Sequence, residues 1–238
     1  MSMTIYGKNP AEEILKTDKA IFKAYIMEDT NYDIIKQLKK RDVEITRIKK
    51  HEFKKKFLGN HQGIVMEVED YKLYDLKEFL AELNLDKNPL VVMLDGITDP
   101  HNFGAIIRSC EAGGVAGIII PKNRSVKITG TVAKVSSGAL EHVKIVEVTN
   151  LRNTLETLKQ NRFWSVGADL SAEQSYHSID VTTPLVLVIG SEGKGISNII
   201  RNSVDYNVKI EMAGSINSLN ASVSAGIIIF DILRKKTE

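Results

Sequence analysis

Short apolar runs along the first 70 residues alternate between two periods. Asn9 and Pro10 open a helical pattern with an apolar pair at Ile14 and Leu15, and proline suits a first helical turn because its missing N–H has no partner there. Residues 20–27 read as a strand and 32–40 as a helix; 43–48 alternate with the period of two of a half-buried strand. Residues 51–57 predict another helix and 63–68 another strand, which together make a small α/β module. Residues 73–83 predict a connecting helix and 84–89 a seam, so 71–88 is expected as a linker between a domain of residues 1–70 and one of residues 89–238.

The second domain opens on an unbroken apolar strand, residues 90–94, with further strands expected at 116–120, 143–148, 163–168, 185–189 and 208–212. Helical patterns separate most of them, and a last helix is expected over residues 218–235 with Ser218 as its N-cap. Strands that are apolar on both faces and divided by helices predict an α/β fold with a covered parallel sheet. Such sheets bind ligands in the loops at the carboxyl ends of their strands. Phe163 and Trp164 fall in a strand pattern and are expected in the core.

Composition adds exclusions. The 238 residues are 43% hydrophobic and 26% charged, ordinary for a globular chain and unlike a disordered or fibrous one. No apolar run approaches 18 residues and no signal pattern opens the chain, so a cytoplasmic protein without a membrane partner is expected. The single cysteine, Cys110, excludes a disulfide framework and a cysteine-rich zinc site, and the five histidines lack metal-ligand spacing. Cys110 has no activating base nearby in sequence and is expected as buried packing. The net charge of +2 conceals an uneven distribution: residues 36–56 hold ten basic residues and three acids, a net of +7. That density attracts a polyanion through counterion release, and Lys54, Lys55 and Lys56 are its densest run; a solvated lysine-rich face is the alternative.

Three loops after strands carry the candidate chemistry. The first, residues 94–104, runs into a helix, where Asp99 and Asn102 can cap and His101 is expected as a capping neighbour. Arg108 follows six residues after Asn102; its fork suits phosphate or carboxylate, and a structural ion pair is the plainer role. The second, residues 189–197, holds Gly190, Gly193 and Gly195 around Glu192, leaving room for a ligand to approach the backbone or simply forming a tight turn. It does not match a P-loop, and no G-x-G-x-x-G fingerprint occurs, which counts against a nucleotide-binding oxidoreductase. The third, residues 210–222, places Asn220 just beyond Ser218, where asparagine is a poor helix former unless its side chain has a task.

The order and combination of these loops (Asn102 to Arg108, then 190–195, then 210–220) resemble the three signature motifs of the SpoU/TrmH family, the RNA ribose 2′-O-methyltransferases of the SPOUT superfamily. The opening Ile5-Tyr6-Gly7-Lys8-Asn9-Pro10 resembles the start of that family's substrate-binding domain, which is similar to ribosomal protein L30e. The resemblance covers nearly the whole chain, and in domain order and length it is most similar to the bacterial enzymes that methylate a guanosine 2′-hydroxyl of 23S rRNA. It implies a C-terminal trefoil knot with S-adenosylmethionine bound in it, and a homodimer packed beside the knot. It further implies catalytic roles for Asn102, Arg108, Glu192, Ser218 and Asn220, and cofactor contacts at Gly190, Ile210 and Leu219, with Met212 and Ala168 as further candidates. In that reading Asn102 and Glu192 orient Arg108 and the ribose, while the Lys54–Lys56 run meets RNA. The family's third motif usually carries proline where this chain has Glu211. A tRNA methyltransferase of the same family and a non-catalytic RNA-binding protein are the competing readings.

Overall fold

The computed structural model describes residues 2–215 and 218–238; Met1 and, in the third loop, Ile216 and Asn217 lie outside the described residues. Two compact units form: Met1–Lys72 with Lys127–His142, and Leu73–Val126 with Val143–Glu238.

In the first unit, β1 (Ser2–Tyr6), β2 (Ile21–Met27), β3 (Glu44–Ile48) and β4 (Ile64–Glu69) form a sheet in the order β1-β4-β2-β3. Strands β1 and β2 run antiparallel to β4, while β2 and β3 are parallel, joined through α2 (Tyr32–Lys40) as a crossover requires. Helix α2 buries Ile34, Ile35 and Leu38, the i, i+1, i+4 stripe that fixes its inner face. Strand β1 escapes the sequence pattern because only Ile5 of its five residues is fully buried. Helix α1 (Lys8–Ile14) follows Gly7, whose φ of 108° is cheap for glycine. Helix α3 (Lys50–Lys56) buries Phe53 and points its lysines outward.

The segment Lys127–His142 is the departure from the expected boundaries, because it belongs to the first unit although its sequence lies far beyond residue 70. Within it α6 (Gly130–Val135), capped by Thr129, buries Val132 and Ala133. The Tyr6 and Thr131 hydroxyls lie 2.9 Å apart, and His142 Nε2 lies 3.2 Å from Glu13 Oε2. Gly130 sits so close to the Thr4 carbonyl that a Cβ would lie 2.5 Å from it.

The second unit is one eight-stranded sheet, every pair parallel, in the order β10-β12-β9-β11-β6-β7-β8-β5. Its strands are β5 (Leu73–Tyr74), β6 (Leu90–Asp95), β7 (Gly117–Pro121), β8 (Ile145–Val148), β9 (Trp164–Ala168), β10 (Gln174–Ser175), β11 (Leu185–Gly190) and β12 (Tyr206–Lys209). The expected linker is thus structural in part. Strand β5 pairs with β8, and the short α4 (Leu76–Ala81) buries Phe79 completely, against the spot where a Cβ on Gly117 would stand.

One face of the sheet packs Val91, Met93, Val146 and Val188 with Leu155 and Leu158 of α7 (Leu151–Gln160). Helix α5 (Pro100–Ala112) contributes buried Phe103, Ile106 and Ile107, and α9 (Ala221–Thr237) contributes Ile228, Ile229 and Ile232. The two helices pack against each other, and Gly113 ends α5 where a Cβ would come within 2.3 Å of Ile229. Each such fully buried aliphatic side chain contributes about 1.5–3 kcal/mol of transfer free energy.

Two local expectations are corrected. Strand β12 ends at Lys209 instead of running over 208–212, because its partners β9 and β10 end at Ala168 and Ser175, opposite Val208 and Lys209, and neither ladder continues. Trp164 is 53% exposed while Phe163 is buried, since the period-two alternation at the start of β9 turns the tryptophan outward. Cys110 is buried, and burial pushes its thiol far above the usual range, leaving an inert packing group. Among the described residues no helix is long and apolar enough to cross a membrane, and no group of three His, Cys, Asp or Glu stands close enough to hold a metal ion.

Candidate active site

The three loops leave the carboxyl ends of β6, β11 and β12, the first two adjacent in the sheet and the third one strand further along, beyond β9. After β11, Ser191 and Gly195 exchange backbone hydrogen bonds at 3.1 and 2.9 Å, closing a tight turn with Glu192 projecting from it. Gly193 and Gly195 have φ of 76° and 64°, so the turn needs residues free of a Cβ penalty. Gly190 needs glycine for a different reason: a Cβ there would lie 2.0 Å from the Gly195 carbonyl carbon and 2.2 Å from the Ile196 nitrogen. Asp95, at the end of β6, accepts from the Ser197 amide at 2.7 Å and ties the first loop to the second.

The first loop ends in α5, with Asp99 as N-cap accepting from the His101 and Asn102 amides at 3.1 and 3.4 Å. Asn102 is therefore in the first helical turn, not the cap; it is only 8% exposed, so its amide must find partners. Those partners come from the other two loops. Asn102 Nδ2 donates to Glu192 Oε1 at 3.1 Å, and Asn220 Nδ2 donates to Asn102 Oδ1 at 2.8 Å as well as to Glu192 Oε1. Asn220, and not Ser218, is the N-cap of α9; its Oδ1 accepts from the Ser222 amide at 2.8 Å and the Val223 amide at 3.4 Å. One side chain thus caps a helix with its oxygen and clasps two loops with its nitrogen.

Beside this clasp lies a pocket of about 290 Å³ between β9, β11 and β12. Ala168, Gly190, Ile210, Met212 and Leu219 all line it, as do Glu192 and Ser218. Ile210 and Met212, whose apolar character reads as strand in the sequence, instead supply apolar wall. The sequence gives no sign of a further pair on the wall, Asp169 and Arg201, joined as an ion pair across 32 residues. Burial alone would raise the Asp169 pKa, but hydrogen bonds from the Ser171 hydroxyl and amide and the Arg201 guanidinium hold it below the usual carboxylate range. Glu211 is exposed and outside the pocket wall; a hydrogen bond with Ser175 holds its pKa below the ordinary value.

Arg108 does not join this cluster. Six residues on from Asn102 the helix has turned about 240°, so the two side chains leave different faces of α5. Arg108 is exposed, and its side chain makes no hydrogen bond or ion pair among the described residues. Lys54 and Lys55 are exposed on the first unit, and Lys56 stands 4.4 Å from the centre of the Tyr25 ring.

Residues 89–230 match the SpoU rRNA methylase family. The chain belongs to that family. Residues 4–74 match its companion module, the RNA 2′-O ribose methyltransferase substrate-binding domain, so the protein is an RNA methyltransferase of the 2′-O-ribose class. The Bacillus subtilis (strain 168) TrmH-family tRNA/rRNA methyltransferase homologue YacO is 39% identical over 237 residues, covering 98% of this chain and 95% of its own. Among solved structures, the SpoU methyltransferase AviRb of Streptomyces viridochromogenes in complex with AdoMet superposes with a TM-score of 0.85 at 24% identity, covering 99% of this chain and 91% of that one. A TrmH/SpoU tRNA modifying enzyme from A. aeolicus superposes with a TM-score of 0.59 at 33% identity over 68% of this chain and 82% of that one. This SpoU methylase therefore shares the fold of AviRb.

Proposed function

We propose that this methylase transfers a methyl group from S-adenosylmethionine to a ribose 2′-hydroxyl of RNA, with a guanosine of 23S rRNA as the target. The observation that carries the reading is the clasp of Asn102, Glu192 and Asn220, which ties the three loops together beside a pocket lined by the second and third of them. The pocket fits the cofactor. Ile189, Val208, Ile210 and Leu219 offer apolar wall for a purine, and the glycine turn exposes backbone groups for its polar edge. Asp169 and Arg201 offer a carboxylate and a guanidinium for a zwitterionic amino-acid tail. The fold expected from the resemblance, a trefoil knot enclosing this pocket, belongs to the same proposal.

When bound, S-adenosylmethionine supplies an electrophilic methyl group on a sulfonium, so the protein's task is alignment and removal of one proton. Glu192 is held through Oε1 alone; no hydrogen bond among the described residues reaches its Oε2, which is free to accept the 2′-hydroxyl proton's hydrogen bond. Arg108 serves to grip the target phosphate with its planar fork of donors and to polarise the 2′-oxygen. Ser218 closes the pocket beside Leu219.

Because Arg108 stands apart from the clasp within one copy, the proposal includes a homodimer in which one subunit's arginine serves its partner's pocket. Support comes from α9, which exposes Val223 and Phe230 (48% and 47%) with half-buried Ile227 between them, an i, i+4, i+7 apolar stripe for a second copy to cover.

The test is incubation of purified protein with tritiated S-adenosylmethionine and separate pools of unmodified 23S rRNA, 16S rRNA and tRNA, followed by alkaline hydrolysis. Label in an alkali-resistant dinucleotide from 23S rRNA is expected, because 2′-O-methylation blocks cleavage at its own nucleotide. Label confined to tRNA would keep the chemistry and replace the substrate, the reading favoured by the likeness to the A. aeolicus tRNA modifying enzyme. No label with intact cofactor binding would refute the catalytic reading.

A further inference from the structure

The match to the substrate-binding module ends at residue 74, yet the first unit is completed by Lys127–His142, which lies inside the span matched to the methylase. This segment brings charge as well as packing. Lys134 of α6 donates to the Asn60 carbonyl and holds its Nζ 5.3 Å from the centre of the Tyr6 ring. Asn60 belongs to the turn that follows α3, whose residues Leu58, Gly59 and Asn60 are all exposed, Leu58 at 88%. Gly59 has a φ of 87° and open space around it, so the turn tip is held away from the body. At the base of the same turn Gln62 Oε1 accepts from the Lys8 amide at 2.9 Å, bringing the start of α1 alongside.

His61 marks how the cations gather. Its ring packs against Phe53 with centroids 4.6 Å apart, and its Nδ1 accepts from the Gly63 amide at 3.0 Å, so it anchors the turn from inside. Burial, and then the positive charges of Lys134 and Lys54, hold its pKa below the ordinary value, so both lysines sit within electrostatic reach of one buried ring. The acids on neighbouring elements are engaged: Glu12 with Lys8 at 3.6 Å, Glu52 with His51 at 3.5 Å, and Glu13 with Lys16 and His142.

An exposed leucine on this turn, flanked by Lys54 and Lys134 from two separate segments, is chemically specific. Phosphates meet the ammonium groups, and an apolar tip gains only where a base face is unstacked and open to it. Lys56 differs from Lys54 in lying over the Tyr25 ring at 4.4 Å, which gives its charge a local partner. Resting on the RNA reading above, we infer that the RNA-contacting surface of the first unit is composite. It is built by Lys54, the Leu58 turn and Lys134 from the methylase-matched segment, and it takes an RNA loop or bulge with an unstacked base.

The experiment measures binding of the full-length protein to labelled, unmodified 23S rRNA transcript, to tRNA and to a fully paired RNA duplex, each across a salt series. Lys134→Ala is expected to lower the slope of log affinity against log salt by about 0.7–0.9, and Lys134→Arg to retain it. Leu58→Ala is expected to weaken binding of the looped RNAs about tenfold, leaving the salt slope and duplex binding unchanged. Lys40→Ala, at the far end of α2, provides the comparison for a lysine outside the cluster. Unfolding temperatures within about 2 °C of wild type would establish that the variants are folded. A Lys134→Ala slope equal to wild type, or a Leu58→Ala affinity equal to wild type, overturns the composite surface while leaving methyl transfer untouched. Wild-type protein that binds none of the RNAs refutes the underlying RNA reading instead.

Discussion

Asn220 does two jobs with two ends of one amide, and replacing it by alanine and by serine separates them. Serine caps a helix about as well as asparagine, so Asn220→Ser keeps an acceptor for the Ser222 and Val223 amides but cannot reach Asn102 or Glu192. Asn220→Ala loses both functions. Loss of the cap costs about 1 kcal/mol, and stranding the buried Oδ1 of Asn102 costs about 1–3 kcal/mol more. Asn220→Ala is therefore expected to lose about 2–4 kcal/mol and Asn220→Ser about 1 kcal/mol less. At roughly 2–4 °C per kcal/mol for a unit of this size, the two variants should unfold about 3 °C apart. Calorimetry gives the transition temperatures, and amide hydrogen exchange reports the cap directly: Ser222 and Val223 should lose protection in the alanine variant and retain it in the serine variant. Both variants should lose methyl transfer alike, because both remove one of the two hydrogen bonds that hold Glu192 and leave the Asn102 amide oxygen unclasped. Equal protection of those two amides in both variants would refute the division of labour, and so would near-normal activity of Asn220→Ser.

Arg108→Ala should cut methylation by about 10²–10³-fold with cofactor affinity unchanged, and co-expression with an inactive Glu192→Ala chain should restore activity if the arginine serves the partner's pocket. Independent action within one subunit would leave the mixed sample as inactive as its parts. Gly190→Ala forces a Cβ onto the Gly195–Ile196 backbone and should cost about 1–3 kcal/mol and most of the cofactor affinity, read by titration calorimetry with S-adenosylhomocysteine. Burial pushes the Asp231 pKa up, but Lys235, His177 and Arg234 together hold it below the ordinary carboxylate value. Its ionised form therefore stabilises the fold above the unfolded-state pKa of about 3.9, and that stability fades as pH falls through the lower folded value. Asp231→Asn should flatten the loss of unfolding temperature between about pH 4 and pH 2; an unchanged acid limb would show that the ion cluster contributes nothing.

What the sequence determined by itself was local and periodic. Residues 32–40 fold as the expected helix and the apolar runs opening at Leu90 and Leu185 fold as parallel strands, because a helix stripe or an all-apolar strand has only one way to bury itself. The three loop motifs carried the family, and the pocket gathers every residue named for the cofactor. Tertiary structure decided the rest. Strand β1 and the two-residue β5 exist only because β4 and β8 offer them open edges, a condition no local pattern records. Asn220 became the cap in place of Ser218, because its amide is held by Asn102 and Glu192, 118 and 28 residues away in sequence. Helical turn separated Arg108 from the residues it follows in the motif, and packing against β1 and α1 carried Lys127–His142 into the first unit. Periodicity reports how a segment meets its own neighbours; which distant segment completes a sheet edge, a cap or a charged surface is set by contacts that exist only once the chain has folded.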